Sequence, residues 1–363
     1  MSSVLIHPAS YDDIDRAVDK AFSLFSPDLA GKKVLIKPNV LRSAAPADGV
    51  TTHPALLSAV VEKVRKADPA SLVVGDNPGL HGYGANRDCF AATGLLDAAG
   101  RYYKNIGHDP VQLPFNPAYM EQVSVSREVL DADVVISLPK FKTHGLTIVT
   151  GAIKNSYGIL PGAFKARLHK AADLPERFHE VVVDVFMLRP ADFFIVDAVV
   201  GMEGNGPASP DLRDIGCVIA GDNAVAVDSV MAQMMGIDPG ALRFLCYARE
   251  AGLGDFDPRS IRIEGKLEAI PDFKLPPLTG DAIARDDSAH ELIANRMEVR
   301  PRVDAQACTG CGTCADQCPV AALSMEDAAK DAGAEILPIL DEKTCIACFC
   351  CQEVCPEMAI RLE

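Results

Sequence analysis

No run of apolar residues in this 363-residue chain approaches the roughly 20 needed to cross a bilayer as a helix. The first residues, MSSVLIHPASYDDIDRAVDKAF, lack the basic stretch and long apolar core of a secretory signal. Positive charge is scarce. The 35 Lys and Arg face 50 Asp and Glu, a formal net charge of −15, which argues against general binding to nucleic acid phosphates. Familiar nucleotide and hydrolase signatures are missing too. HGYGANRDC contains G-x-G but puts Arg87 where a dinucleotide fingerprint needs its third glycine, and there is no P-loop, no G-x-S-x-G and no H-E-x-x-H. These absences point to a soluble cytoplasmic protein that binds neither membrane nor nucleic acid. In that compartment thiols stay reduced, and clustered cysteines more readily bind metal than form disulfides.

Cysteine is sparse over most of the chain. Cys89, Cys217 and Cys246 sit in apolar surroundings that suit core residues, and only Cys89, after a glycine-rich loop, invites more attention. The other nine fall in CTGCGTCADQCP and CIACFCCQEVCP. Cys308, Cys311, Cys314 and Cys318 form C-x2-C-x2-C-x3-C followed by Pro319, and Cys345, Cys348, Cys351 and Cys355 repeat it before Pro356. Zinc knuckles and disulfides explain neither the doubled four-cysteine run nor the prolines. The pattern resembles bacterial two-cluster ferredoxins, in which the fourth cysteine of each run serves the other cluster. That resemblance implies one 4Fe–4S cluster on Cys308, Cys311, Cys314 and Cys355, and a second on Cys318, Cys345, Cys348 and Cys351. Cys350 lies outside the spacing and reads as a bystander or a modulator of the second cluster. The stretch between the runs has room for a short helix and a strand. From Cys308 onward ten acidic residues outnumber three basic ones, which suits an acidic electron-transfer module.

Before residue 300, short β-branched runs alternate with amphipathic helical runs, the pattern of an α/β domain with a mostly parallel sheet. KKVLIKPNV, SLVVGDNPG, ADVVISLPKFKTH, ADFFIVDAVVGMEGNGP and IGCVIAG read as strands. ASYDDIDRAVDKAF, with Ser10 and Asp13 in capping-box-like spacing, and THPALLSAVVEKVRKA, with Pro54 in its first turn, read as helices, as do the runs after Gly221 and Gly240. The domains expected are 1–300, ending in a proline-containing connector over 266–300, and 301–363.

Polar residues gather just after the strands, where open α/β sheets bind ligands. Gly79, Gly204 and Gly206 are accounted for by the turns alone. Lys37, Lys140, Lys142 and His144 are not, because a turn has no need of long cationic side chains. From Val134 to Ala172 there is no Asp or Glu, yet the stretch carries Lys140, Lys142, Lys154, Lys165, Arg167 and Lys170 with His144 and His169. Such a segment suits either an anionic ligand or a docking patch for an acidic partner, the ferredoxin module included. The remaining histidines, His53, His81 and His108 among them, are scattered and suit hydrogen-bonding roles.

LIKPNV, GDNPG, SLPKFKTHGLTIVTGAIKNSYGILPG, DAVVGMEGNGP and AGDNAVAVDSVMAQMMGID together resemble the family called domain of unknown function 362, over about residues 30–265. The resemblance implies an architecture, and the family is often joined to two-cluster ferredoxin domains. The expectation is an iron–sulfur oxidoreductase that relays electrons, taken from a redox partner protein, to an anionic small molecule. Lys140, Lys142, His144 and Lys154 would anchor the anion, with His144 or Lys142 supplying a proton. Lys37, Asn39, Asp76, Asn77, Asn155, Asp197, Glu203 and Asn205 would complete one cleft. Lys140 and Lys142, two apart on a strand, would point to the same face. A non-catalytic electron-transfer adaptor or assembly factor, and a metal-dependent enzyme with structural clusters, are the rival readings.

Overall fold

In the computed structural model, residues 1–79, 85–162, 164–172, 175–276, 300–327 and 335–363 are described. His81 and most of the connector lie outside them. Nine strands among these residues form one sheet. They are β1 (Ser2–Pro8), β2 (Lys33–Pro38), β3 (Ser71–Val74), β6 (Val134–Leu138), β7 (Lys140–His144), β8 (Ile148–Thr150), β9 (Phe193–Met202), β10 (Leu212–Gly221) and β11 (Ile261–Glu264), with β4 (Pro110–Pro114) and β5 (Gln122–Ser126) paired apart. The order is β11-β1-β10-β9-β6-β2-β3, and β7 with β8 extends from β9.

The pairs β9·β6, β6·β2 and β2·β3 are parallel, whereas β10 runs antiparallel to both β9 and β1. Alternation along each strand sorts side chains onto two cores. Val34 and Ile36, Ile136 and Leu138, and Phe193 and Ile195 face the helices Ile14–Phe25 and Pro54–Lys66. Leu35, Val135, Phe194 and Val196 face the opposite core, with the helices Pro175–Leu188, Ala224–Met234 and Arg243–Glu250. The result is an α/β domain with helices on both faces of a mostly parallel sheet.

Two local expectations need correction. Ser10 does bond to Asp13, through its N–H and its hydroxyl at 2.8 Å each, but the helix starts after Asp13 at Ile14. The pair therefore shapes the turn before the helix instead of capping its first turn. Between the cysteine runs, the described residues form two antiparallel strands, Leu323–Asp327 and Ile336–Leu340, where one strand was expected, and 328–334 between them lie outside the described residues.

The C-terminal unit closes on itself. Pro301–Val303 pairs with Ile360–Leu362, and Arg300 exchanges backbone hydrogen bonds with Glu363 at 2.7 and 3.0 Å. It sits against the end of the sheet where β7 turns into β8. A Cβ on Gly145 would come within 3.2 Å of both Leu362 and Phe349, so this turn lies close under the ferredoxin unit.

Candidate functional site

The eight cysteines of the two runs surround two separate apolar cavities. Cys308, Cys311, Cys314 and Cys355 line one, with about 330 Å³ of atom-free space. Cys318, Cys345, Cys348 and Cys351 line the other, with about 310 Å³. Each set thus takes one cysteine from the opposite run. Backbone N–H groups of Gly310, Ala322, Ala347 and Ala359 point at the sulfurs of Cys308, Cys318, Cys345 and Cys355 at 3.2–3.4 Å. Four thiols around an apolar hollow, with amide donors on the sulfurs, are the donor set and polarity that an iron–sulfur cluster takes. Cys350 lines neither hollow.

A third and larger cavity, about 720 Å³, lies between the two domains. Its floor comes from the loops after β2 and β3, including Asn39, Asp76 and Asn77, and its central wall from the acid-free segment: Lys142, His144, Thr150, Lys154, Asn155, Tyr157, Lys165 and His169. Its roof is Gln317, Cys350, Glu353 and Val354 of the ferredoxin unit. Cys350 therefore faces this cavity, while its neighbours Cys348 and Cys351 face the second cysteine hollow.

Each wall is held from behind. Asp76 accepts from the Val40 N–H at 2.8 Å and pairs with Lys37 at 2.7 Å, fixing the floor. A Cβ on Gly158 would lie 2.0 Å from Asp76 Oδ1, so only glycine lets the wall approach this pair. Asn155 bonds Asn39 at 3.0 Å and Ser137 at 2.8 Å. The helix Ala152–Asn155 is anchored by Asp228, which accepts from the N–H groups of Ala152 and Ile153 at 2.5 and 3.0 Å. Lys142 Nζ donates to the Val50 carbonyl at 2.7 Å, and Lys165 Nζ to the carbonyls of Asn77 and Pro78. Lys154 Nζ lies 4.6 Å from the Tyr157 ring centroid and 5.5 Å from that of Phe178.

Burial pulls both Lys142 and Lys165 from 10.5 down to about 7, and the histidines His144 and His169 from 6.5 to about 4. His144 Nδ1 accepts from the Leu146 N–H at 2.9 Å, so the proton of the neutral ring sits on Nε2, 3.2 Å from Glu353 Oε1. Burial works to raise the Glu353 carboxyl, but His144 and Lys154 outweigh it and keep it ionised. His169 Nδ1 lies 2.7 Å from the Lys165 carbonyl and must donate to it, which leaves Nε2 a buried acceptor with no partner.

The structure brings together Asn39, Asp76, Asn77, Lys142, His144, Lys154 and Asn155 in the cavity, with Lys37 directly beneath. It does not bring in Lys140, Asp197, Glu203 or Asn205. Lys140 and Lys142 go to separate partners, Lys142 to the Val50 carbonyl in the cavity and Lys140 to Asp197 outside it, and the pairing of β7 with β9 is irregular between them. Lys140 Nζ meets Asp197 Oδ2 at 2.9 Å and the Tyr11 hydroxyl at 2.9 Å, a closed network completed by the His53 N–H on Asp197 at 2.8 Å. Glu203 pairs with Arg213 at 3.0 Å, and the Asn205 carbonyl accepts from the Gln352 side chain at 2.5 Å across the domain seam. Sequence reasoning named Lys165 and His169 only as members of the acid-free segment, read Cys350 as a bystander or modulator of the second cluster, and gave no role to Thr150, Tyr157 or Glu353. The spacing of Lys165 and His169, four apart on the helix Phe164–Ala172, was a legible signal for a shared face.

Comparison with known proteins finds two family models along the chain. The family model of the domain of unknown function 362 matches residues 34–233, and that of the 4Fe-4S dicluster domain matches residues 307–359. The thylakoid-associated protein sll1697 of Synechocystis sp. is 30% identical over 227 residues, covering 61% of this chain and 69% of that protein. Among solved structures, a Thermotoga maritima protein from the Northeast Structural Genomics Consortium aligns at 13% identity and TM-score 0.38, over 68% of this chain and 60% of its own. The lactate racemase apoprotein of Thermoanaerobacterium thermosaccharolyticum aligns at 12% identity and TM-score 0.38, over 62% and 55%.

Proposed function

We propose that this chain, which belongs to the domain of unknown function 362 family and carries a C-terminal 4Fe-4S dicluster domain, is an iron–sulfur oxidoreductase acting on an anionic small molecule in the interdomain cavity. One observation carries the reading: a cavity walled by Lys142, Lys154 and Lys165 has Cys350 in its roof, and the residues on either side of Cys350 in the chain, Phe349 and Cys351, line the second cysteine hollow. Cys308, Cys311, Cys314 and Cys355 would hold one 4Fe–4S cluster, and Cys318, Cys345, Cys348 and Cys351 another. When bound, such clusters supply single electrons.

The chain's own residues do the rest. The three lysines bind and orient the anion, and the ferredoxin unit excludes water from above. A substrate that gains electrons becomes more basic, and Lys142 is the better-matched proton donor, since its pKa of about 7 lies near working pH whereas His144 at about 4 is already neutral. His144, its Nδ1 fixed by the Leu146 N–H, instead positions Glu353.

The docking-patch reading is supported for the chain's own ferredoxin unit, whose Glu353 meets His144 at 3.2 Å, and has less support for a separate acidic protein, because that unit already covers the basic segment. The metal-dependent reading lacks a site among the described residues, where no three His, Cys, Asp or Glu side chains are grouped around a single ion. The test is to photoreduce the loaded protein anaerobically and follow cluster absorbance as small organic anions are added. Reoxidation with turnover supports the enzyme, and reoxidation by protein acceptors alone refutes it.

A further inference from the structure

Three ammonium groups line the interdomain cavity, and among the described residues none has a carboxylate within ion-pair distance. Two carboxylates line it as well. Asp76 is already matched by Lys37 below the floor, which leaves Glu353 alone against Lys142, Lys154 and Lys165. With all three protonated, the cavity carries an excess of two positive charges. Burying that excess without counter-charge is costly, and here the counter-charge is missing from the protein itself.

The cations are also spread out. Lys142 is tied to the Val50 carbonyl, in the loop after β2, while Lys165 is tied to carbonyls of Asn77 and Pro78, in the loop after β3. Lys154 stands over the rings of Tyr157 and Phe178. Thr150 is the cross-strand partner of Lys142, and its hydroxyl is buried with no partner, a donor beside that ammonium. Further buried atoms of the lining without hydrogen-bond partners include the acceptors His169 Nε2, Asn39 Oδ1 and Gln317 Oε1, and His144 Nε2, a donor facing Glu353.

The ammonium groups of Lys142 and Lys165 are held on separate loops, an arrangement that suits an anion whose charges stand apart on a carbon chain better than the single compact charge of phosphate. The N–H groups that open the helix Ala152–Asn155 are not available to a ligand, since Asp228 accepts from those of Ala152 and Ile153. We infer that the ligand is an organic dicarboxylate, one carboxylate held at Lys142 and Thr150 and the other at Lys165, with Lys154 between them. This inference rests on the proposed placement of the substrate in the cavity.

The experiment is anaerobic calorimetry on the loaded protein with its clusters oxidised, so that no turnover occurs. Succinate, glutarate and adipate are each compared with the monocarboxylate of equal carbon number, and with inorganic phosphate. At least one dicarboxylate should bind about ten- to a hundredfold tighter than its monocarboxylate, the usual effect of one charge-assisted contact. Lys142→Met and Lys165→Met should each lower dicarboxylate affinity about ten- to a hundredfold and bring it down to that of the monocarboxylate, while keeping the iron content. If either methionine variant fails to load its iron, Lys142→Gln or Lys165→Gln takes its place. Equal binding of mono- and dicarboxylates, a preference that survives the substitutions, or tighter binding of phosphate would overturn the inference. The two readings fail separately. A dicarboxylate that binds but never reoxidises reduced protein sinks the redox reading alone, and reoxidation by a monocarboxylate with no dicarboxylate preference sinks only this one.

Discussion

His144 Nε2 and Glu353 Oε1 stand 3.2 Å apart across the seam between the α/β domain and the ferredoxin unit, both nearly inaccessible to solvent. The contact closes one side of the cavity and joins the acid-free segment to the helix Cys350–Val354. Gln352, bonded to the Asn205 carbonyl, makes a second tie from the same helix. The seam is therefore a built surface, and the cavity exists only while the two domains are together.

Glu353→Gln should loosen that seam without unfolding either domain. Amide hydrogen exchange at residues 145–150 and 350–354 is expected to rise at least severalfold, with the iron content and the exchange of the β2 and β6 core unchanged. Unaltered exchange at the seam would show that the contact contributes nothing to docking.

Lys140 and Lys142 should behave oppositely. Removing Lys140 strands Asp197, which is fully buried, so Lys140→Ala is expected to cost about 3–5 kcal/mol of stability. Lys142 has no carboxylate partner, and losing a buried unpaired cation should leave stability unchanged or slightly higher while weakening anion binding about ten- to a hundredfold. Anaerobic denaturant titrations beside binding isotherms separate the two.

Affinity for the anion should fall as pH rises above 7. Burial lowers Lys142 and Lys165 to about 7; Glu353 opposes this at Lys142 while Lys154, Lys140 and Arg42 add to it, and at Lys165 Asp76 and Glu353 oppose while Lys37 and Lys154 add. The native state then binds fewer protons than the unfolded chain between about 7 and 10.5, so the ligand-free protein gains stability with pH across that window. A ligand that needs both ammonium groups loses up to about tenfold in affinity per pH unit for each lysine. Calorimetry on both sides of pH 7 reads the trend, and affinity that rises with pH would contradict the assignment of these lysines.

Cysteine substitutions should follow the two hollows. Cys318→Ser should damage the cluster shared with Cys345, Cys348 and Cys351, and Cys350→Ser should keep about eight iron per chain, since the spacing already supplies four thiolates to each cluster. Loss of a cluster in Cys350→Ser would show that the ligand sets are wrong.

How much of this was legible depended on how local each signal was. The cysteine sets were readable because their spacing lies within short runs and matches a familiar pattern. The strands β2, β3, β6, β9 and β10 were readable as β-branched runs ending in Gly, Pro or Asn. Strand β1 was not, because what makes Ser2–Pro8 a strand is its pairing with β10 and β11, more than two hundred residues away. The acid-free segment announced a cationic site by composition alone. The separation of Lys140 from Lys142 could not be read there, since it arises where β7 meets Asp197 and Met202 of β9. Glu353 and Cys350 were hidden for a related reason, as only the docking of the ferredoxin unit turns them toward the cavity.

The central claim is that electrons held by the C-terminal clusters reach a small anion in the interdomain cavity. Its most direct measurement is anaerobic reoxidation of photoreduced protein by the small-molecule filtrate of a cell extract, comparing the native chain with Lys154→Met at equal iron content. The account predicts that the filtrate reoxidises the native protein and that Lys154→Met slows this about tenfold or more, the effect of one lost charged contact. Reoxidation by the protein fraction alone, or at equal rates in both proteins, would contradict it.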